Sequence, residues 1–155
     1  MRTMIALVVG SLILMTAGGA GAHCQIPCGI YDDHMRFHMI EEHIQTIEKS
    51  MKSITELSGA ETKDYNQIVR WVNNKDAHAG EIEEIVSFYF LAQRVKPVTE
   101  TSGENYDRYT TQVRLLHELL VNAMKAKQST DLAVCTRLRQ LLAEFETSYF
   151  EPQKG

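Results

Sequence analysis

Cysteine is scarce, occurring three times in 155 residues. Three thiols form at most one disulfide, and a chain of this length buries enough apolar surface in one core to fold without any. Lysine and arginine never form a block longer than two or three residues, and the formal charge is −4. That balance excludes nucleic acid and an anionic membrane surface as main partners. No stretch alternates apolar and polar residues with β-branched enrichment over a strand's length, which excludes a sheet. The chain also lacks a P-loop, H-E-x-x-H, G-x-S-x-G, any internal repeat and any low-complexity tract. No histidine has glutamate three positions before it, so the Glu-x-x-His pattern of di-iron bundles is missing as well. What remains, 44% apolar and 23% charged residues, is the balance of a single globular domain.

Residues 1–22 read as a cleaved signal peptide. Arg2 supplies the positive start, Ile5 to Met15 is an apolar run too short to span a bilayer, and Ala20-Gly21-Ala22 is the small-x-small pattern of a cleavage site. Cleavage sets the new N-terminus at His23 and leaves an exported chain, periplasmic or extracellular, with no membrane attachment. Loss of Arg2 makes the mature side chains slightly more acidic still.

The remainder, 32–155, carries four helical stripes. Ile40, Ile44, Ile47, Met51 and Ile54 recur at spacings of four and three, which predicts a helix over about 33–57, capped by Asp32 or Asp33 and ended by Gly59. Tyr65, Ile68, Val72, Ala79, Ile82, Val86 and Tyr89 predict a long second helix, interrupted by Lys75, weakened by Gly80 and stopped by Pro97. Tyr106, Tyr109, Val113, Leu116, Leu120 and Ala123 mark the third, and Cys135, Leu138, Leu142, Phe145 and Tyr149 the fourth. Short loops between four such helices predict an all-α, antiparallel up-down four-helix bundle, preceded by a short N-terminal metal-binding hook.

That hook is the segment 23–31, His-Cys-Gln-Ile-Pro-Cys-Gly-Ile-Tyr. Once His23 is the N-terminus, its amine, the Cys24 amide nitrogen and the Cys24 thiolate lie on consecutive backbone units and can chelate one ion in small rings. Pro27 and Gly29 build a turn that lets Cys28 close the plane, and the His23 ring can fold over as an axial ligand. A square or pyramidal set of two nitrogens and two sulfurs suits nickel or copper, whereas zinc takes a tetrahedral set. The plainer alternative is an exported helical protein that sequesters metal, or that carries a Cys24–Cys28 disulfide without catalysis.

At a processed N-terminus, His23-Cys24-x-x-Pro27-Cys28-Gly29-x-Tyr31 resembles the signature of the nickel-containing superoxide dismutases. The resemblance implies a four-helix bundle assembled as a homohexamer, with one nickel ion per subunit and superoxide as substrate. It implies nickel bound by the amine and axial imidazole of His23, the amide and thiolate of Cys24 and the thiolate of Cys28. The imidazole would be attached in Ni(III) and released in Ni(II), with His23 and Tyr31 as catalytic residues. Tyr31 would stand near the open axial face, its hydroxyl ordering superoxide or a water. A glutamate early in helix one and an arginine in helix two orient the histidine ring in that family; Glu41 and Arg70 are the nearest residues here. Gln25 stands where aspartate is common.

Elsewhere, Cys135 falls in step with the core stripe of helix four and is expected to fill space as a small apolar group. His34 and His38, spaced i,i+4, read as a solvated face, and His43, His78 and His117 as surface or boundary residues. The run Phe88-Tyr89-Phe90-Leu91 places apolar residues all around one turn, as a subunit interface or a buried helix end would.

Overall fold

The computed structural model describes residues 32–151. Four α-helices account for most of them: α1 (Asp33–Gly59), α2 (Tyr65–Glu84), α3 (Glu104–Gln128) and α4 (Leu132–Phe150). A π-helical stretch, Ile85–Arg94, continues α2. No strand occurs among the described residues. The predicted signal peptide and the hook lie outside them.

Aspartates start three of the helices by accepting an otherwise unpaired backbone N–H. Asp32 takes that of His34 at 2.9 Å, Asp64 that of Gln67 at 3.0 Å and Asp131 that of Ala133 at 2.9 Å. The exception is α3, entered through Gly103 at φ +96°, a backbone state that glycine adopts without steric cost.

Cross-helix contacts fix the topology. Ser50 meets Asn74 and His43 meets His78, so α1 and α2 run antiparallel. Gln112 donates to the Ser148 carbonyl, and Arg137 pairs with Glu118, which sets α3 against α4 in the same way. Arg139 on α4 bridges Glu41 at 3.0 Å and Glu48 at 2.6 Å on α1, closing the ring of helices. The result is the up-down antiparallel bundle.

The stripes of α1 and α4 face the core as expected, with Ile40, Ile44, Ile47, Met51, Leu138 and Phe145 fully buried. Cys135 is 1% exposed against the Met51 sulfur at 3.7 Å, a core position. On α3 the buried line runs through Leu115, Leu116, Leu119 and Ala123, while Tyr109, Val113 and Leu120 pack only at its edge. The first half of α2 departs further: Tyr65 is 70% exposed, and burial begins at Lys75 and Ala79.

Lys75, which interrupts the apolar stripe, is one of the more deeply placed polar residues at 2% exposure. Its ammonium donates to the carbonyls of Ala126 at 2.6 Å and Lys127 at 2.7 Å, and to Asp76 at 2.9 Å. The two carbonyls belong to the last turn of α3, where backbone acceptors lack helical partners and the helix dipole is negative. A lysine on one helix therefore caps the next. Lys75→Met should keep the volume, strand both carbonyls and cost about 2–3 kcal/mol of stability, read from the urea midpoint at unchanged slope.

Candidate functional site

The described chain begins at Asp32, one residue after Tyr31, so the end of the bundle at which α1 starts is the base from which segment 23–31 departs. Asp33 dominates that base. Its carboxylate accepts hydrogen bonds from the hydroxyls of Tyr89 and Tyr149, the latter at 2.8 Å, and pairs with Arg94 Nε at 3.0 Å. Three side chains from two elements, the π-helix and α4, thereby converge on the first turn of α1, the turn whose dipole also favours an acidic residue.

The π-helix makes this convergence possible. Its hydrogen bonds run from residue i+5 to residue i, as in Val95 N–H to the Phe90 carbonyl at 2.8 Å. Residues five apart therefore stack, and Arg94 lies above Tyr89, donating to its hydroxyl at 2.9 Å. The Tyr89 ring is flanked by two guanidiniums, Arg94 at 4.9 Å and Arg36 at 5.0 Å from its centroid. Beneath it Phe37, Phe90, Phe145 and Tyr149 form an aromatic cluster with centroids 5.0–5.7 Å apart. Among the four residues of the run Phe88–Leu91, Tyr89 and Phe90 are buried in this cluster, while Phe88 is 48% exposed.

Burial and the Asp33 carboxylate push both phenols above the ordinary tyrosine value of 10.0. A raised folded pKa means that the native state holds these protons more tightly. The network is thus intact below pH 10 and weakens as pH rises beyond it. Asp33→Ala should leave two hydroxyls and an arginine without their shared acceptor and cost about 2 kcal/mol. Thermal unfolding at neutral pH checks this, and a reduced alkaline sensitivity in the variant, where burial alone still raises the phenols, checks its cause.

This end of the bundle is grooved. A cleft of about 690 Å³ opens between the start of α3 and the end of α4, and one of about 470 Å³ runs beside Arg94, Lys96 and Arg108. A smaller one, about 130 Å³, lies against Arg36, Phe88 and Tyr89.

The expected metal ligands His23, Cys24 and Cys28, and the expected catalytic Tyr31, lie outside the described residues. Glu41 and Arg70, the two positions nearest to the family's ring-orienting pair, do not come together. The Glu41 carboxylate is turned toward α4, accepting from Arg139 at 3.0 Å. Arg70 is exposed on α2. Continuing the register of Ser50 opposite Asn74 puts Arg70 level with residue 54 of α1, about 20 Å along the axis from Glu41. Within one chain the pair cannot orient one imidazole. His34 and His38 are exposed, as expected of a solvated face, and His34 stacks on Phe150 at 4.0 Å.

Among the described residues no group of three or more histidine, cysteine, aspartate or glutamate side chains could hold a metal ion. Burial pushes the Cys135 thiol up to about 11, so it stays protonated at neutral pH. No described helix is long and apolar enough to cross a membrane.

Fold and base together define an all-helical bundle whose first helix is clamped at its N-terminal end by a carboxylate, two tyrosines and an arginine. A sequence model described as nickel-containing superoxide dismutase matches residues 19–153, and the chain belongs to that family. It is accordingly an oxidoreductase with a nickel cofactor and superoxide as its substrate. Searches of curated proteins and of solved structures gave no match.

Proposed function

We propose that nickel is held, one ion per subunit, by the hook 23–31 after residues 1–22 are removed. The ligands are the amine and ring of His23, the amide and thiolate of Cys24 and the thiolate of Cys28. One observation carries this reading: of the chain's three cysteines, the described one is a buried, protonated core thiol, and the other two stand at 24 and 28, nine and five residues ahead of the clamped Asp33. The donor set fits the metal, since soft thiolates and a deprotonated amide donate charge and favour a higher oxidation state.

Nickel bound there supplies a one-electron couple poised between superoxide oxidation and superoxide reduction. One superoxide gives up an electron and leaves as dioxygen; a second accepts it and, with two protons, leaves as hydrogen peroxide. The chain's own part is positioning. The Asp33 clamp gives the hook a rigid root, and Tyr31, two residues before it, orders superoxide or a water through its hydroxyl. The net charge of −4 offers an anionic substrate no global attraction, so any steering is local.

Export by the signal peptide and assembly as a homohexamer complete the proposal; exposed apolar side chains such as Val69 at 56% and Phe88 at 48% are consistent with subunit contacts. The decisive experiment is nickel stoichiometry and dismutase turnover on protein whose N-terminus is confirmed by mass to be His23. Folded protein of that mass with neither nickel nor turnover would refute the site. Tyr31→Phe should retain nickel but change turnover or inhibitor access several-fold; loss of the metal would show that Tyr31 has another role.

A further inference from the structure

His43 on α1 and His78 on α2 face each other with their Nδ1 atoms 2.8 Å apart. At that distance one nitrogen carries a proton and the other a lone pair. The Nε2 of His43 is buried with no partner among the described residues. A bare lone pair there costs less than a bare N–H, so His43 donates from Nδ1 and His78 accepts.

Neither route to a charged pair is open in this arrangement. A proton on His78 goes to the accepting Nδ1 and sets N–H against N–H. A proton on His43 goes to the buried, unpartnered Nε2. Burial and the neighbouring His78 hold His43 below the ordinary histidine value of 6.5, outweighing Glu81 and Glu42, which pull the other way. The charged groups of the adjoining helices are engaged elsewhere: Lys75 with the end of α3, Lys127 with Glu83, Arg139 with Glu41 and Glu48.

Position gives this contact its consequence. Three polar contacts run along the α1–α2 seam in one antiparallel register: Ser50 with Asn74, His43 with His78, and Asp33 with Tyr89 and Arg94. Of these only the middle one joins two imidazoles. We propose that the His43–His78 contact is an acid-sensitive clasp that fixes the register of α1 against α2, and with it the placement of Asp33 at the base of residues 23–31. The clasp rests on the helix pair alone; only its effect on the hook rests on the nickel reading.

The sign follows from linkage. A histidine whose folded pKa is lowered binds fewer protons folded than unfolded, so stability is complete above pH 6.5 and falls as pH drops below it. In the processed protein, imidazole titration by NMR should place His43 below the ordinary histidine value of 6.5. Between pH 7.5 and 5.0 the melting temperature should fall several degrees further in the wild type than in His78→Gln, whose amide accepts the same hydrogen bond without a charge. Amide exchange across residues 37–47 should accelerate over the same range in the wild type and stay flat in the variant. His43 titrating at or above the ordinary histidine value of 6.5, or equal acid slopes in the two proteins, would overturn the clasp. No readout uses nickel, so failure of the proposed metal site leaves this test unaffected.

Discussion

Cys24→Ser or Cys28→Ser should abolish nickel retention and reduce dismutase activity to background, while helix content and unfolding midpoint should stay within about 0.5 kcal/mol of the parent. Serine is close to cysteine in size, but its hydroxyl does not ionise at neutral pH and is a hard donor, so it cannot supply the soft anionic ligand that a square nitrogen–sulfur set needs. Both positions lie outside the described bundle. The core begins at Phe37 and is closed by α4, and the capping aspartates, the Lys75 cap and the Asp33 clamp all lie within 32–151. Metal analysis, turnover and far-ultraviolet circular dichroism on the same samples decide it. Full activity in either variant would remove the thiolate from the mechanism.

How legible each part was in the sequence depends on what kind of interaction decides it. The α1 and α4 stripes were legible because three-four spacing is a local property and both helices bury one face along their whole length. The start of α2 was not. Tyr65, Ile68 and Val72 keep the same rhythm, yet Tyr65 is largely exposed and the other two are only half-buried, because periodicity reports a face and not whether a neighbour covers it. Lys75 read as a break since charge normally marks solvent; its partners are carbonyls some fifty residues away, which no local window contains. The same holds for the base of the hook. Tyr89 and Tyr149 were readable as the last members of two apolar stripes, and a tyrosine at such an end needs a partner for its hydroxyl. That the partner is Asp33 follows only from the antiparallel register and from the π-helix, which stacks Arg94 on Tyr89. The hook chemistry is the opposite case. Amine, amide and thiolate follow one another along the backbone, so covalent connectivity alone brings those donors together and the motif is readable without any fold.

Retention of one extra residue, Ala22, on the mature chain should abolish nickel binding and dismutase activity without disturbing the bundle. The nitrogen of His23 then belongs to a peptide bond: it is planar, its lone pair is delocalised, and the basic amine has moved one residue away. The first chelate ring, from amine to Cys24 amide, is lost, and the displaced amine cannot restore it with the same ring size while Cys24 and Cys28 keep their places. The described helices start ten residues after His23 and carry a core from Phe37 to Phe145, so circular dichroism, melting temperature and oligomer size should barely move. A protein whose only use for Cys24 and Cys28 was a disulfide would be indifferent to one alanine. The comparison therefore separates a metal site built on the N-terminal amine from every reading in which the N-terminus is only a chain end. Both proteins are expressed, their N-termini confirmed by mass, and each is loaded with nickel and assayed. Equal activity in the two would exclude the amine as a ligand, and with it the need for cleavage after Ala22.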